Sequence, residues 1–296
     1  MAVYKRTYKV YNGPLSPSWS RFAVLTRYSL STLFTSRLFT AYFVLCFIPF
    51  LIGIGYIYIA HSNVAQLLMG IKMHTNGSWD ISAIWFAGML QFQTSMGFIL
   101  VAWAAPGMIT RDNANQALQL YFSRPLSRTE YILGKFGVLA LLLSCITWIP
   151  GLILYGLQAE LAGRGWGWDN LFVAGAIFVS SWLWIAVLSL LALALSVFVR
   201  WRIAATGLFL GVMIVLPGFA QAFDLILRSN WGRMLDISYT THLVALHLFR
   251  IESPFRGLPL QGGIPVWSAW VAILTTCLIS VLLLNRRLKA REVVRG

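Results

Sequence analysis

The sequence predicts an all-α integral membrane protein of six transmembrane helices. An interfacial helix precedes the first span, and a polar helix separates spans two and three. Three observations predict this fold. The chain is 58% hydrophobic and 11% charged, with a mean hydropathy of +0.73, outside the composition of soluble globular domains. Six runs free of Asp, Glu, Lys and Arg lie between the charged residues at 37 and 72, 80 and 111, 135 and 160, 169 and 200, 202 and 224, and 256 and 286. Each run exceeds the roughly 20 residues a helix needs to cross the hydrocarbon layer, and a helix satisfies its backbone polar groups internally there. Finally, most of the 23 basic residues fall on one side of the layout those runs impose.

That side carries Lys5, Arg6, Lys9, Arg21, Arg27 and Arg37 before the first span, and Arg111, Arg124, Arg128 and Lys135 between spans two and three. Arg200, Arg202 and the tail from Arg286 to Arg295 join them. The positive-inside rule therefore places both termini, and the 110–135 segment, in the cytoplasm of a cell (plasma) membrane. The net charge of +14 is spread over the flanks of spans, which reads as contact with anionic lipid headgroups and not as a nucleic-acid surface. The chain divides into a cytoplasmic N-terminus with an interfacial elbow helix (1–37), a transmembrane domain (38–284) and a basic cytoplasmic tail (285–296).

In order, residues 1–14 are polar and basic, without the apolar core or cleavage site of a signal peptide. Trp19, Phe22, Leu25, Leu30, Leu33 and Phe34 alternate with Arg21, Arg27 and hydroxyl residues, the pattern of an amphipathic helix at the inner interface. That helix is either a passive anchor or an elbow that moves with the rest. Span one covers about 38–60, with a bend expected in its outer half at Pro49, Gly53 and Gly55. Span two covers about 82–108 and carries Gln91, Thr94 and Ser95 on one face by i, i+3, i+4 spacing. Polar groups at that depth either bond to a neighbouring helix or line a wet cavity, and both readings stand. Span three covers about 135–157, with Pro150 near its outer end, and span four about 170–199. Span five, about 203–223, contains Gly207 and Gly211, a GxxxG pair that lets two backbones approach within or between subunits. The outer segment 224–265 mixes apolar and polar residues as short surface helices do, and span six covers about 266–284.

The most informative stretch is 110–135, TRDNANQALQLYFSRPLSRTEYILGK. From 112 to 123 the apolar residues Ala114, Ala117, Leu118, Tyr121 and Phe122 share one helical face, with Asn115, Gln116 and Gln119 opposite. Pro125 ends this helix. Ser127-Arg128-Thr129-Glu130 is a capping box that starts the next one, with Leu126 and Tyr131 placed for a hydrophobic staple. A short amphipathic helix held between two spans in this way is a surface for a partner to grip, or for lipid headgroups to cover.

No GxxxxGK[ST], HExxH or GxSxG occurs, and no carboxylate pair sits inside a span, so no catalytic or metal-ligating set is predicted. His242 and His247 lie five apart, off the i, i+4 spacing of two ligands on one helix, and Cys46, Cys145 and Cys277 lack local partners.

The layout, together with Arg111-Asp112, Ser123-Arg124-Pro125-Leu126-Ser127-Arg128, Glu130-Tyr131 and Gly134-Lys135, resembles the type-2 ABC exporter permeases. Many relatives of that kind carry Glu where this chain has Asp112, and the importer-type signature is absent. The resemblance implies a permease subunit that forms a homodimer or heterodimer with a second permease and moves substrate with ATP hydrolysed by separate cytoplasmic ABC ATPase subunits. ATP and Mg would be bound by those subunits and no cofactor by this chain. It implies that 112–123 is a coupling helix, with Arg111, Asp112, Asn115, Gln116, Leu118, Gln119, Phe122, Arg124, Arg128 and Glu130 coupling it to the ATPase. Gln91, Thr94 and Ser95 would line the substrate pathway, and Gly207 and Gly211 would pack in the dimer, since spans one and five meet in that family. Two alternatives stand beside it: a membrane assembly or scaffold subunit, and a channel-like facilitator without ATPase.

Overall fold

The computed structural model describes residues 21–62, 81–114, 127–163, 165–251 and 264–287. Eleven α-helices and one 3-10 turn make up these residues, with no strand among them. In chain order they are α1 (Arg21–Phe34), α2 (Arg37–Leu45), α3 (Ile48–His61), α4 (Ala83–Ala114), α5 (Arg128–Ile146), α6 (Trp148–Ala162) and α7 (Trp166–Asp169). Then come α8 (Leu171–Ser196), α9 (Arg202–Leu227), the 3-10 turn Trp231–Leu235, α10 (Ile237–Leu248) and α11 (Val266–Arg287). Six helical stretches are long and apolar enough to cross a bilayer: Arg37–His61, Ala83–Asp112, Arg128–Ala162, Leu171–Ser196, Arg202–Leu227 and Val266–Arg287. The chain is a multi-pass membrane protein.

Two spans are broken: span one ahead of the bend the sequence suggested, and span three where the sequence suggested none. Span one divides at Cys46 and Phe47, ahead of Pro49, and Gly53 and Gly55 lie within the unbroken α3. Span three divides at Thr147, ahead of Pro150, and continues as α6 to Ala162, so Pro150 sits mid-span and not near its end. The reason is common to both. Proline has no N–H to donate to the carbonyl four residues back, so it sits best in the first turn of a helix, and a break just ahead of Pro49 and Pro150 puts each there, although Pro106 and Pro217 lie within the unbroken α4 and α9. Span two runs the other way. α4 continues unbroken through Asp112 to Ala114, the last described residue before 127, so Asp112 belongs to the same helix as span two. Residues 115–126, the remainder of the expected coupling helix, lie outside the described residues.

α8 is the centre of the bundle, packed on α4, α5, α6, α10 and α11. About 61% and 56% of the apolar windows of spans three and four are buried inside the chain, against 22% and 17% for spans one and five. Lipid is as apolar as leucine, so close packing and not water exclusion holds such helices together. Small residues supply the approach: a Cβ at Gly151 of α6 would come within 2.7 Å of Ile177 of α8, and one at Gly134 of α5 within 2.8 Å of Leu25 of α1.

α1 lies along α5, burying Leu25, Thr26 and Ser29 and exposing Val24 and Tyr28. The Thr26 hydroxyl donates to the main-chain oxygen of Gly134 at 2.9 Å. At the opposite end of the bundle, α9 extends past Asp224 to Leu227 and ends on Arg228 in the left-handed region (φ 48°). Asp224 then holds the 3-10 turn, accepting from the Gly232 amide at 2.7 Å with Arg233 3.8 Å away. α10 starts from an Asp236 cap that accepts from the Tyr239 amide, and it packs Leu243 and Val244 into a core shared with α11 and α8. The short helix expected in the 224–265 segment is therefore present as α10.

Candidate functional site

α4 carries a polar group at each end. At its C-terminal end the capping box predicted at Ser127 forms: Ser127 Oγ accepts from the Glu130 amide at 3.2 Å, and Glu130 Oε2 accepts from the Ser127 amide at 2.6 Å. This fixes where α5 begins, and so turns Tyr131 and Lys135, one turn apart, onto the face toward α4. Tyr131 is fully buried and Lys135 nearly so. The Tyr131 hydroxyl donates to Asp112 Oδ2 at 2.8 Å, and Lys135 Nζ lies 2.9 Å from the same oxygen. Lys135 also donates to Ser29 Oγ of α1 at 3.3 Å and sits over the Tyr131 ring, 5.6 Å from its centroid. A buried ammonium is tolerated only when paired and hydrogen-bonded, and here three elements supply the partners. The result is one knot joining the end of span two, the start of span three and α1.

Arg111 and Arg202 border this knot across a cavity of about 230 Å³ that Ser29 and Thr32 also line. Arg202 donates to the main-chain oxygen of Trp103 at 3.1 Å. Of the residues expected to couple to a partner, Arg111, Asp112, Arg128 and Glu130 are described. Arg111 and Arg128 are exposed, Glu130 closes the capping box, and Asp112 is the centre of the knot. Asn115, Gln116, Leu118, Gln119, Phe122 and Arg124 lie outside the described residues, as does Leu126 of the expected staple. Tyr131 puts its ring in the core and its hydroxyl on Asp112. Sequence reasoning missed Lys135, Tyr131 and Ser29 as a set. The available signal was a lysine and a tyrosine at i, i+4 entering an apolar run just after a lone aspartate had left one.

Toward the other end of α4, Gln91, Thr94 and Ser95 line one cavity of about 490 Å³. α8 contributes Ser180 and Trp184, α9 Met213, and α10 Thr241 and His242. Of the two readings of this polar face, the cavity holds for all three residues and the interhelical bond for Gln91 alone. His242 Nδ1 lies 3.0 Å from Gln91 Oε1, joining α10 to α4. The Thr94 and Ser95 hydroxyls turn back to the Gln91 main-chain oxygen, each at 2.9 Å. Burial holds the His242 imidazole below its ordinary value of 6.5, because the charged form is poorly solvated there. The neighbouring Gln93 is buried on another face, its amide nitrogen without a hydrogen bond among the described residues.

A Cβ added at Gly207 or Gly211 would have no atom of the described residues within 4 Å. Their face of α9 is open.

No family model matches the chain, and no curated protein is significantly similar to it.

Proposed function

We propose that the chain is the transmembrane permease subunit of an ABC transporter of the type-2 exporter kind. It would dimerise in the cell membrane with both termini cytoplasmic, and work with separate ATPase subunits that bind ATP and Mg. The observation that carries this reading is the knot at Asp112. The polar segment that resembles a coupling helix lies in sequence between Asp112 and Ser127, and Asp112 is tied to Lys135, Tyr131 and, through Lys135, to Ser29. A displacement of that segment by an ATPase would therefore reach spans two and three and the α1 elbow together, instead of fraying one helix end. From Asp112 to Gln91 the same helix spans about 30 Å at 1.5 Å per residue. Motion at the basic end thus has a continuous lever to the cavity lined by Gln91, Thr94 and Ser95. The open Gly207/Gly211 face of α9 is available for a second permease subunit.

Leu118→Ser with Phe122→Ser removes the apolar face of the segment, each buried side chain contributing about 1.5–3 kcal/mol to a contact. The double variant is expected to lose ATPase subunits during purification in mild detergent, and to lose ATP hydrolysis after reconstitution. Leu25→Ser in α1 serves as the comparison. Retention of the ATPase at the wild-type level by the double variant would remove the segment as the docking element. Absence of any ATPase from wild-type preparations would favour a facilitator.

A further inference from the structure

The hydrogen-bond directions inside the 490 Å³ cavity define the chemistry of what it holds. A main-chain carbonyl oxygen accepts and cannot donate, so a hydroxyl bonded to one has committed its single hydrogen. Four of the cavity's hydroxyls are in that position. Thr94 and Ser95 donate to Gln91 O, Ser180 to Ala176 O, and Thr241 to Ile237 O. Each is bonded back to its own helix and presents only lone pairs to the cavity; Ser238, an exposed residue of α10, is the remaining hydroxyl. The His242 imidazole donates from Nδ1 to the Gln91 amide oxygen, and in its neutral form leaves Nε2 as a further acceptor.

No Asp, Glu, Lys or Arg is among the described residues that line the cavity. A charged group entering it would give up hydration without a counter-ion from these residues, a cost that disfavours it against an uncharged one. An anion would in addition meet mostly acceptors, the Gln91 amide nitrogen and the Ser238 hydroxyl being among the few donors. The remaining walls are apolar, with Leu90, Phe98, Trp184 and Met213 among them. The volume lies within the roughly 300–1,000 Å³ typical of small-molecule sites. Ile99 of α4 and Ile214 of α9 line the cavity and are both exposed, so among the described residues nothing closes the cavity where spans two and five border it. An apolar tail can leave through that opening while a polar head stays among the hydroxyls.

We propose that this cavity binds an uncharged amphiphile whose head carries two or more hydroxyl or N–H donors. Its role as the transported substrate rests on the permease reading; the binding itself does not. The test uses the purified full chain in nanodiscs with three decyl probes, each carrying a diazirine in the chain: a glycerol ether, a trimethylammonium and a sulfate. Photocrosslinks are mapped by mass spectrometry. The glycerol ether is expected to label α4 and α8 saturably, at least tenfold above the other two heads. Thr94→Val with Ser95→Ala is expected to lower that labelling about fivefold to tenfold, as loss of two hydrogen-bond acceptors implies. Ser95→Ala alone, at an exposed position that bears no packing, is expected to lower it about twofold to threefold and covers the case of a misfolded double variant. Equal labelling by the sulfate or ammonium head, or unchanged labelling of both variants, overturns the proposal. Labelling of the cavity without any effect of the glycerol ether on ATP hydrolysis by the assembled complex upholds the ligand class and removes the permease role. Hydrolysis that responds to other compounds, with no labelling of the cavity, does the reverse.

Discussion

The two ends of α4 solve the problem of polar groups in a membrane protein in opposite ways. At Asp112 a carboxylate, an ammonium and a phenol are drawn together at 2.8–3.3 Å with a serine, and the pairing locks three elements. Around Gln91 the polar groups are uncharged, mostly bonded to their own helix, and a single side-chain contact crosses to α10. Charge demands partners and so produces rigidity. Hydroxyls that satisfy themselves leave neighbouring helices unlinked and a cavity between them. One helix is thus clamped at one end and loosely held at the other, and the following changes would break or sharpen that contrast.

The largest effect is expected from Asp112→Ala. It leaves Lys135, with a side chain 5% exposed, without its counter-charge, and breaking a buried pair in this way costs about 3–5 kcal/mol. Thermal unfolding in detergent should show the loss, and Asp112→Leu combined with Lys135→Met should recover most of it. A shift no larger than that of a surface substitution would mean the knot is not a clamp. Next comes Gly134→Val, which drives side-chain atoms into Leu25 and displaces α1 from α5 at a cost of about 1–3 kcal/mol. Faster proteolysis near residue 21 reports it, and unchanged cleavage would show that α1 is held elsewhere.

The smallest effect belongs to the loose end. Burial holds the His242 imidazole below 6.5, so beneath that pH the folded chain binds fewer protons than the unfolded one. Burial of the neutral ring therefore contributes stability that is fully present above about 6.5 and is lost as the pH falls through the lowered folded-state value; the Nδ1–H bond to Gln91 survives protonation, but the charged ring is poorly solvated there. No other titratable residue is among the described residues that line the cavity. The stability advantage of wild type over His242→Leu, about 0.6 kcal/mol for one interhelical hydrogen bond, should be present at pH 7.5 and shrink steadily as the solution is made acidic. A pH-independent difference would show that packing, and not protonation, decides the contact.

What the sequence disclosed was whatever is local. The six uncharged runs became six spans, and the Ser127 capping box formed because its bonds reach only three residues. The shared face of Gln91, Thr94 and Ser95 is a matter of helical spacing, and the cavity bears it out. The pairings that give those residues meaning are distant: Asp112 with Tyr131 across 19 positions, Lys135 with Ser29 across 106, Gln91 with His242 across 151. The spacing of His242 and His247 sets them aside as a pair of metal ligands but gives no sign that His242 meets an amide on another span. Lys135 read as one more basic residue at a membrane edge, because nothing in its neighbours shows that it turns inward. The prolines were visible, but the breaks fall ahead of them, since the residues that lose their helical partners are those before a proline. Gly207 and Gly211 announced a close approach, and among the described residues nothing stands where their Cβ atoms would be.

The two interrupted spans divide the molecule into storeys. Tyr42, four residues before the break at Cys46, donates to the main-chain oxygen of Met96, and a Cβ at Gly97 would lie 3.3 Å from Ile146, the last residue before Thr147. Both interruptions therefore sit beside the same turn of α4, and beyond them α3 and α6 pack on each other. Pro49 and Pro150 supply no amide to the helix below, so each break lacks a ladder bond that a continuous helix would have to surrender on tilting. The chain has a waist, and α4 is the mast that passes through it.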